Sequence, residues 1–287
     1  MNVTRFHCIE RVSDSMDDRR NAPEGRDHIQ SIERGFAVLH AFDADRPRPT
    51  STDLAEVTGL SRPAVRRILL TLQHLGYVQP VDGRWRLTPR VLSLGQHFTS
   101  TNSIVEVAQP HLARLSETTA ESASLAVLDG TEAVYIARVS VRRIMNIDVS
   151  PGTRLPAAAT SMGRVLLAWA EEPQIERVLS AGIPAYTDRT VTDPKALRGI
   201  LRDVRSQGWS LVDGELDAEL ISISVPVRDH SGSVVAALVS STSVARATPE
   251  EFRADVLEPL LATAARLSTD LGQPRGLAAR EQREGFF

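Results

Sequence analysis

The chain has 287 residues, of which 42% are hydrophobic and 24% charged, with a formal net charge of −3; this is the balance of a folded globular protein long enough for two domains. No apolar run approaches the roughly 18 residues of a membrane span, and the first thirty residues mix charges where a signal peptide needs an apolar core. The single cysteine, Cys8, excludes an intramolecular disulfide and a cysteine-cluster metal site, so a cytoplasmic protein with no metal, no cofactor and no membrane partner is expected.

Charge is unevenly spread. Residues 28–98 carry nine arginines against six acids, whereas residues 99–287 carry 19 basic against 24 acidic side chains. A basic excess confined to one segment suits phosphate contact by that segment alone, although a solvated face gives the same count.

Residues 1–27 are polar and lack periodicity, which predicts a flexible leader. Order is expected from His28, where Ile32, Phe36, Leu39 and Phe42 recur at helical spacing and the breakers of Asp43-Ala-Asp-Arg-Pro-Arg-Pro49 end a first helix. Thr50-Ser-Thr-Asp53 fits a capping box opening a second helix over 51–58, with Gly59 as its stop. Ser61 caps a third helix with Pro63 in its first turn. At about 100° per residue, Val65, Ile68, Leu69, Leu72 and Leu75 share an inward face, and Pro63, Arg66, Arg67 and Thr71 point outward. Two short extended runs then flank Asp82-Gly83, a hairpin signal. Three helices followed by a hairpin is the winged helix-turn-helix order. In that arrangement the third helix fits a DNA major groove, arginine reads guanine, and neighbouring groups hold phosphates. The candidate DNA contacts are Thr50, Ser51, Thr52, Ser61, Arg62, Pro63, Arg66, Arg67 and Thr71, with Arg84 on the wing; Trp85 reads as a packing residue of the wing.

Ser31-Ile-Glu-Arg-Gly-Phe-Ala-Val-Leu39, Asp53-Leu-Ala-Glu-Val-Thr-Gly-Leu-Ser61, Gly76-Tyr-Val78 and Trp85-Arg-Leu-Thr88 closely resemble the DNA-binding domain of the IclR family of regulators. The resemblance runs over roughly residues 28–272. It implies an α+β chain in which a winged helix-turn-helix domain (28–88) is joined by a linker helix (89–102) to a GAF-like effector-binding domain (103–272), followed by a flexible tail (273–287). It also implies a double-stranded DNA operator and a homodimer or dimer of dimers.

Beyond the linker, Ser103 is placed to cap a helix reaching Thr119. Extended runs are expected at 122–128, 133–140, 144–149, 209–213, 221–228 and 233–241, with helices at 159–170, 173–180, 193–207 and 249–271, an order that fits a sheet covered by helices. Gly152 to Gly163 passes from an irregular loop into a helix, whose free N–H groups suit an anion or, equally, a capped and buried start. Asp213 is a ligand acceptor or a turn residue, and Val239-Ser-Ser-Thr-Ser243 either faces a cavity or caps a turn. Carried across from the family, the effector residues are Ser161, Met162, Gly163, Asp213, Ile223, Ser240 and Thr242. Arg138-Val-Ser-Val-Arg-Arg-Ile-Met145 and Ala159-Thr-Ser-Met-Gly-Arg-Val-Leu-Leu-Ala168 look most like the subgroup that responds to protocatechuate or hydroxybenzoate, so a small aromatic carboxylic acid is the expected effector.

Two other functions bear weighing. Ser161 with His111 or His230 and Asp213 makes a conceivable hydrolase triad, but Thr160-Ser-Met-Gly163 lacks the first glycine of a nucleophile elbow. A DNA-binding dimer with a purely structural C-terminal domain is the other alternative.

Overall fold

The computed structural model describes residues 28–43, 46–94, 103–141 and 149–272, which fall into two compact units meeting in sequence at Ser103. The expected leader and tail, Cys8, and most of the run at 144–149 lie outside the described residues. So does much of the linker helix, which is described only as a 3-10 turn over Pro89–Val91 continuing helically to Leu94.

The N-terminal unit orders α1 (Gln30–His40), α2 (Ser51–Thr58), α3 (Arg62–His74), β1 (Val78–Val81) and β2 (Arg84–Leu87). The Thr50 hydroxyl accepts from the Asp53 amide at 3.2 Å while the Asp53 carboxylate accepts from the Thr50 amide at 2.8 Å, a complete capping box on α2. Gly59, left-handed at φ 66°, closes α2, and only Leu60 separates it from Ser61, the N-cap of α3. Asp82 and Gly83 both have positive φ, as the two central residues of a tight hairpin turn require. The core comprises Val38, Ala41, Leu54, Val65, Leu69, Leu72 and Val78, with Trp85 and Leu87 of the wing packed against it.

This core corrects one expectation: on α3, Leu75, read as inward, is about half exposed, and so are Ile32 and Phe36 on α1, where Val38 and the cap residue Ala41 are the buried ones. Those exposed side chains border an apolar groove between α1 and α3 that also includes Leu39, Ile68, Tyr77 and Leu94. A helical period identifies an apolar stripe but does not say what covers it.

The second unit is a six-stranded antiparallel sheet in the order β5-β4-β3-β8-β7-β6. Its strands are β3 (Ser122–Asp129), β4 (Glu132–Val139), β5 (Arg154–Pro156), β6 (Ser210–Asp213), β7 (Leu220–Arg228) and β8 (Val234–Ser243). The helices α4 (Ser103–Thr119) and α8 (Pro249–Asp270) cover one face, where Leu112, Leu115, Phe252, Val256 and Leu260 meet Leu125, Ile221, Ile223, Val225 and Leu238. The other face carries α5 (Ser161–Ala168) and α7 (Pro194–Gln207), with Met162, Val165 and Val204 against Ala126, Tyr135, Ala237 and Val239. Outside α5, α6 (Glu172–Ser180) and α7 close a further cluster of Ala157, Ala158, Leu167, Val178, Leu197 and Leu201. Pro226 is tolerated within β7 because β6 pairs only with residues 221–224, so at Pro226 the strand has β8 on one side alone.

Candidate functional site

The first site is the outer surface of α3. Val65, Leu69 and Leu72 point into the core, which leaves Arg62, Pro63, Arg66, Arg67 and Thr71 exposed together with the cap residue Ser61. Arg67 and Thr71 lie on the flank that borders the α1 groove, and the Thr71 hydroxyl donates back to the Arg67 carbonyl at 3.0 Å. Arg84 is not loose: its Nη1 donates to the Arg48 carbonyl at 3.0 Å. Next to it, the Trp85 amide donates to the Pro49 carbonyl at 2.9 Å, and its Nε1 donates to the Ser51 hydroxyl at 3.2 Å. Trp85 is thus a packing residue, but one that ties the wing to the start of α2. Asp53 is held below the usual carboxylate range chiefly by its bonds from Thr50, with the nearby Arg84 charge adding to the effect. Among the other nominated residues, Thr50 uses its hydroxyl as the α2 cap and Thr52 is half-buried.

The second site is a cavity in the six-stranded sheet unit where α5 begins. Three features shape it: the helix start, the inner strands β7 and β8, and the β6–β7 turn. Ser161, Met162, Thr160, Tyr135, Leu155, Val212, Ser222, Val239 and Ser241 line it, with Glu215 and Asp217 as the charged members. It is narrow, with room for about one water molecule. Thr160 caps α5, its hydroxyl accepting from the Gly163 amide at 3.2 Å. The amides of Ser161 and Met162 remain as the free donors of the first turn among the described residues. The Ser161 hydroxyl donates to that of Ser222 at 2.9 Å and lies 2.7 Å from that of Ser224. Burial pushes the Tyr135 phenol up to about 12, so it stays a neutral hydroxyl. Behind the wall, Arg164, only 3% exposed, donates through Nη2 to Glu215 at 2.6 Å and through Nε to the Ala158 carbonyl at 3.0 Å. Glu215 also accepts from the Val191 amide, and its carbonyl accepts from the Thr190 hydroxyl, so the β6–β7 turn is fastened to the segment before α7.

Of the seven effector residues read from the sequence, Ser161 and Met162 line this cavity. Gly163 does not. A Cβ there would sit 2.2 Å from the Ala157 carbonyl oxygen, so glycine serves the close approach of helix and preceding turn. Ile223, Ser240 and Thr242 are on the opposite face of the sheet. Ile223 is in the α4/α8 core, the Ser240 hydroxyl donates to the Ser122 carbonyl, and the Thr242 hydroxyl donates to Glu121. Strand side chains alternate, so their neighbours Ser222, Val239 and Ser241 are the ones that face the cavity. Asp213 likewise misses the lining that its neighbour Val212 joins, and its carboxylate pairs with Arg189 at 2.5 Å. The missed serines had a signal: in Leu220-Ile-Ser-Ile-Ser-Val225 the hydroxyls alternate strictly with β-branched residues, which puts Ser222 and Ser224 on one face. Nothing in the sequence marked Glu215 or Arg164 as partners. The triad does not assemble either, since His111 pairs with Asp270 at 2.8 Å, and Ser161 has serines for neighbours.

A winged helix-turn-helix with an exposed arginine helix, in one chain with a helix-covered sheet domain, defines a DNA-binding transcription regulator. The chain belongs to the IclR family: the sequence model of the IclR helix-turn-helix domain matches residues 31–82 and that of the bacterial transcriptional regulator IclR C-terminal domain matches residues 96–269. It is 43% identical over 239 residues to the Pca regulon regulatory protein of Pseudomonas putida, covering 82% of each chain. It is 38% identical over 241 residues to the p-hydroxybenzoate hydroxylase transcriptional activator of Acinetobacter baylyi, covering 82% of this chain and 89% of that one. The structure is similar to that of an IclR homologue from Microbacterium hydrocarbonoxydans in complex with 4-hydroxybenzoate, with a TM-score of 0.74, 30% identity, and coverage of 84% and 98% of the two chains. These relatives are regulators and not enzymes, which removes the hydrolase alternative.

Proposed function

We propose that this regulator senses a small aromatic hydroxy acid in the α5 cavity and transmits its presence to operator binding by α3 and the wing. The observation that carries this reading is the polarity of the cavity. At one pole, the free Ser161 and Met162 amides and the hydroxyls of Ser222 and Ser241 suit a carboxylate. At the other, Asp217 repels an anion, and Glu215, its charge neutralised by Arg164, keeps an oxygen to accept a hydrogen bond from a hydroxyl. A ring with a carboxylate and a hydroxyl at opposite ends matches both, and 4-hydroxybenzoate, with which the Microbacterium homologue was crystallised, is such a molecule. The cavity as it stands holds about one water, so the apolar walls of Leu155, Val212 and Val239 must part to take the ring.

On the DNA side, Arg62, Arg66 and Arg67 read bases or phosphates from the major groove, and the α2 start and Arg84 hold the backbone. Two half-sites call for two copies, and the exposed apolar side chains of Ile32, Phe36, Leu75 and Leu94 supply a surface for self-association. Effector and operator then influence each other through linkage.

Calorimetric titration with 4-hydroxybenzoate, protocatechuate, benzoate and pyruvate tests the reading. The hydroxy acids are expected to bind most tightly, and Met162→Asp, which places a third carboxylate in the wall, should abolish their binding while Met162→Leu retains it. If no acid binds or raises the melting temperature, the C-terminal domain is structural.

A further inference from the structure

The wing carries a hydrogen bond that the outline of DNA recognition leaves unused. Trp85 Nε1 donates to the Ser51 hydroxyl at 3.2 Å, across 34 residues of chain. Ser51 is the first residue of α2, and its oxygen, already accepting, has its own hydrogen left to donate. A hydroxyl that accepts a bond is a better donor, because successive hydrogen bonds polarise one another. The helix start adds a positive field at the same place. Other contacts fix the geometry: the Trp85 amide donates to the Pro49 carbonyl, Arg84 donates to the Arg48 carbonyl, and the capping box holds the first turn. Beside Ser51 stands the Asp53 carboxylate, bonded by Thr50 and offset by the Arg84 and Arg46 guanidiniums.

We propose that Trp85 is a positioning residue for DNA binding: its indole N–H orients the Ser51 hydroxyl so that it donates to a backbone phosphate of the operator. The inference rests on the reading of α3 and the start of α2 as the DNA face. Trp85 itself touches no base. Its part is to make the wing and the helix-turn-helix grip the duplex as one piece, so its loss weakens binding to any sequence alike.

The test uses the full-length protein and a duplex recovered by in-vitro selection from a random library, with a scrambled duplex as comparison, at one fixed salt concentration. Ser51→Ala and Trp85→Phe are each expected to weaken binding about fivefold on both duplexes, as loss of one hydrogen bond to a charged acceptor allows. The double variant should also lose about fivefold and not about 25-fold, because the two residues act through one bond. Ser51→Thr, which keeps the hydroxyl, should bind within about twofold of wild type. Wild-type affinity in Ser51→Ala, or multiplying losses in the double variant, overturns the proposal. Arg66→Ala separates the failures. If it weakens binding and Ser51→Ala does not, the relay alone is wrong, whereas if neither weakens binding the DNA face is elsewhere and the relay falls with it.

Discussion

Two helices in this chain begin in the same way and end in opposite roles. Both α3 and α5 open on a hydroxyl residue that caps an amide of the first turn, and both carry an arginine within their first five residues. In α3, Arg66 stands in solvent; in α5, every residue from Ser161 to Ala168 is buried and Arg164 is 3% exposed. The difference is not in the helices but in what lies against them. One has a core on a single side, while the other is enclosed by the sheet on one side and α6 and α7 on the other. An exposed arginine is free to bind a partner, and a buried one must be neutralised within the fold.

That contrast sets an order of expected effects. The largest is for Glu215→Ala, which leaves the Arg164 charge buried without its carboxylate and should cost the sensor unit about 3–5 kcal/mol, read by calorimetry as a lowered melting transition. A transition unchanged in this variant would mean that water or another acceptor replaces Glu215, and the contrast with Arg66 would dissolve. Next, Arg66→Ala should weaken operator binding by about 1–3 kcal/mol in a fluorescence titration and leave the melting temperature unaltered. Val65→Ala, one residue away in the core, should do the reverse. Third comes a pair on adjacent strands of the sheet. Ser222→Ala should weaken binding of 4-hydroxybenzoate by about 1 kcal/mol, and Ser240→Ala should not, because its hydroxyl already serves Ser122 on the other face. Equal losses would place the effector elsewhere.

The smallest effect concerns Glu121, a carboxylate with a buried side chain beside Thr242 and Arg246. Burial raises its pKa above the ordinary 4.5, outweighing the Arg246 charge and the Thr242 bond. Since the folded value is the higher one, the protonated form favours folding. That contribution is complete below the ordinary value and is lost as pH rises to the raised one. Denaturant titrations of wild type and Glu121→Gln should therefore diverge over that window, the wild type losing relative stability with rising pH. Parallel curves would show that Arg246 neutralises the group fully.

The element order was legible because its signals are local. Gly59, Ser61 and the Asp82-Gly83 turn each announce a boundary within a few residues, and the helices at 173–180 and 193–207 differ from the observed α6 and α7 by a single residue at their starts. What local signals do not carry is the choice of face. Ile223, Ser240 and Thr242 were one residue away from the side chains that line the cavity, and in a strand one residue is the whole thickness of the sheet. Leu75 departs for a related reason: its place on the apolar stripe of α3 reads as inward, although Val65, Leu69 and Leu72 are what the fold covers. The Arg164–Glu215 pair was illegible because its members are 51 residues apart and neither stands in a local pattern.

Gly163 carries a consequence for how such a sensor changes over time. With the Ala157 carbonyl oxygen 2.2 Å from where any side chain would begin, this position admits no substitution without moving the α5 start, and a mutational scan would score it as though it contacted the effector. A screen that ranks residues by loss of response would therefore mistake a pivot for a ligand contact. The same rigidity keeps the free amides of Ser161 and Met162 in register whatever replaces the side chains around them. On the proposed effector reading, new ligand preferences are thus most readily reached by exchanging the serines and apolar residues of the cavity wall, with the α5 start inherited unchanged.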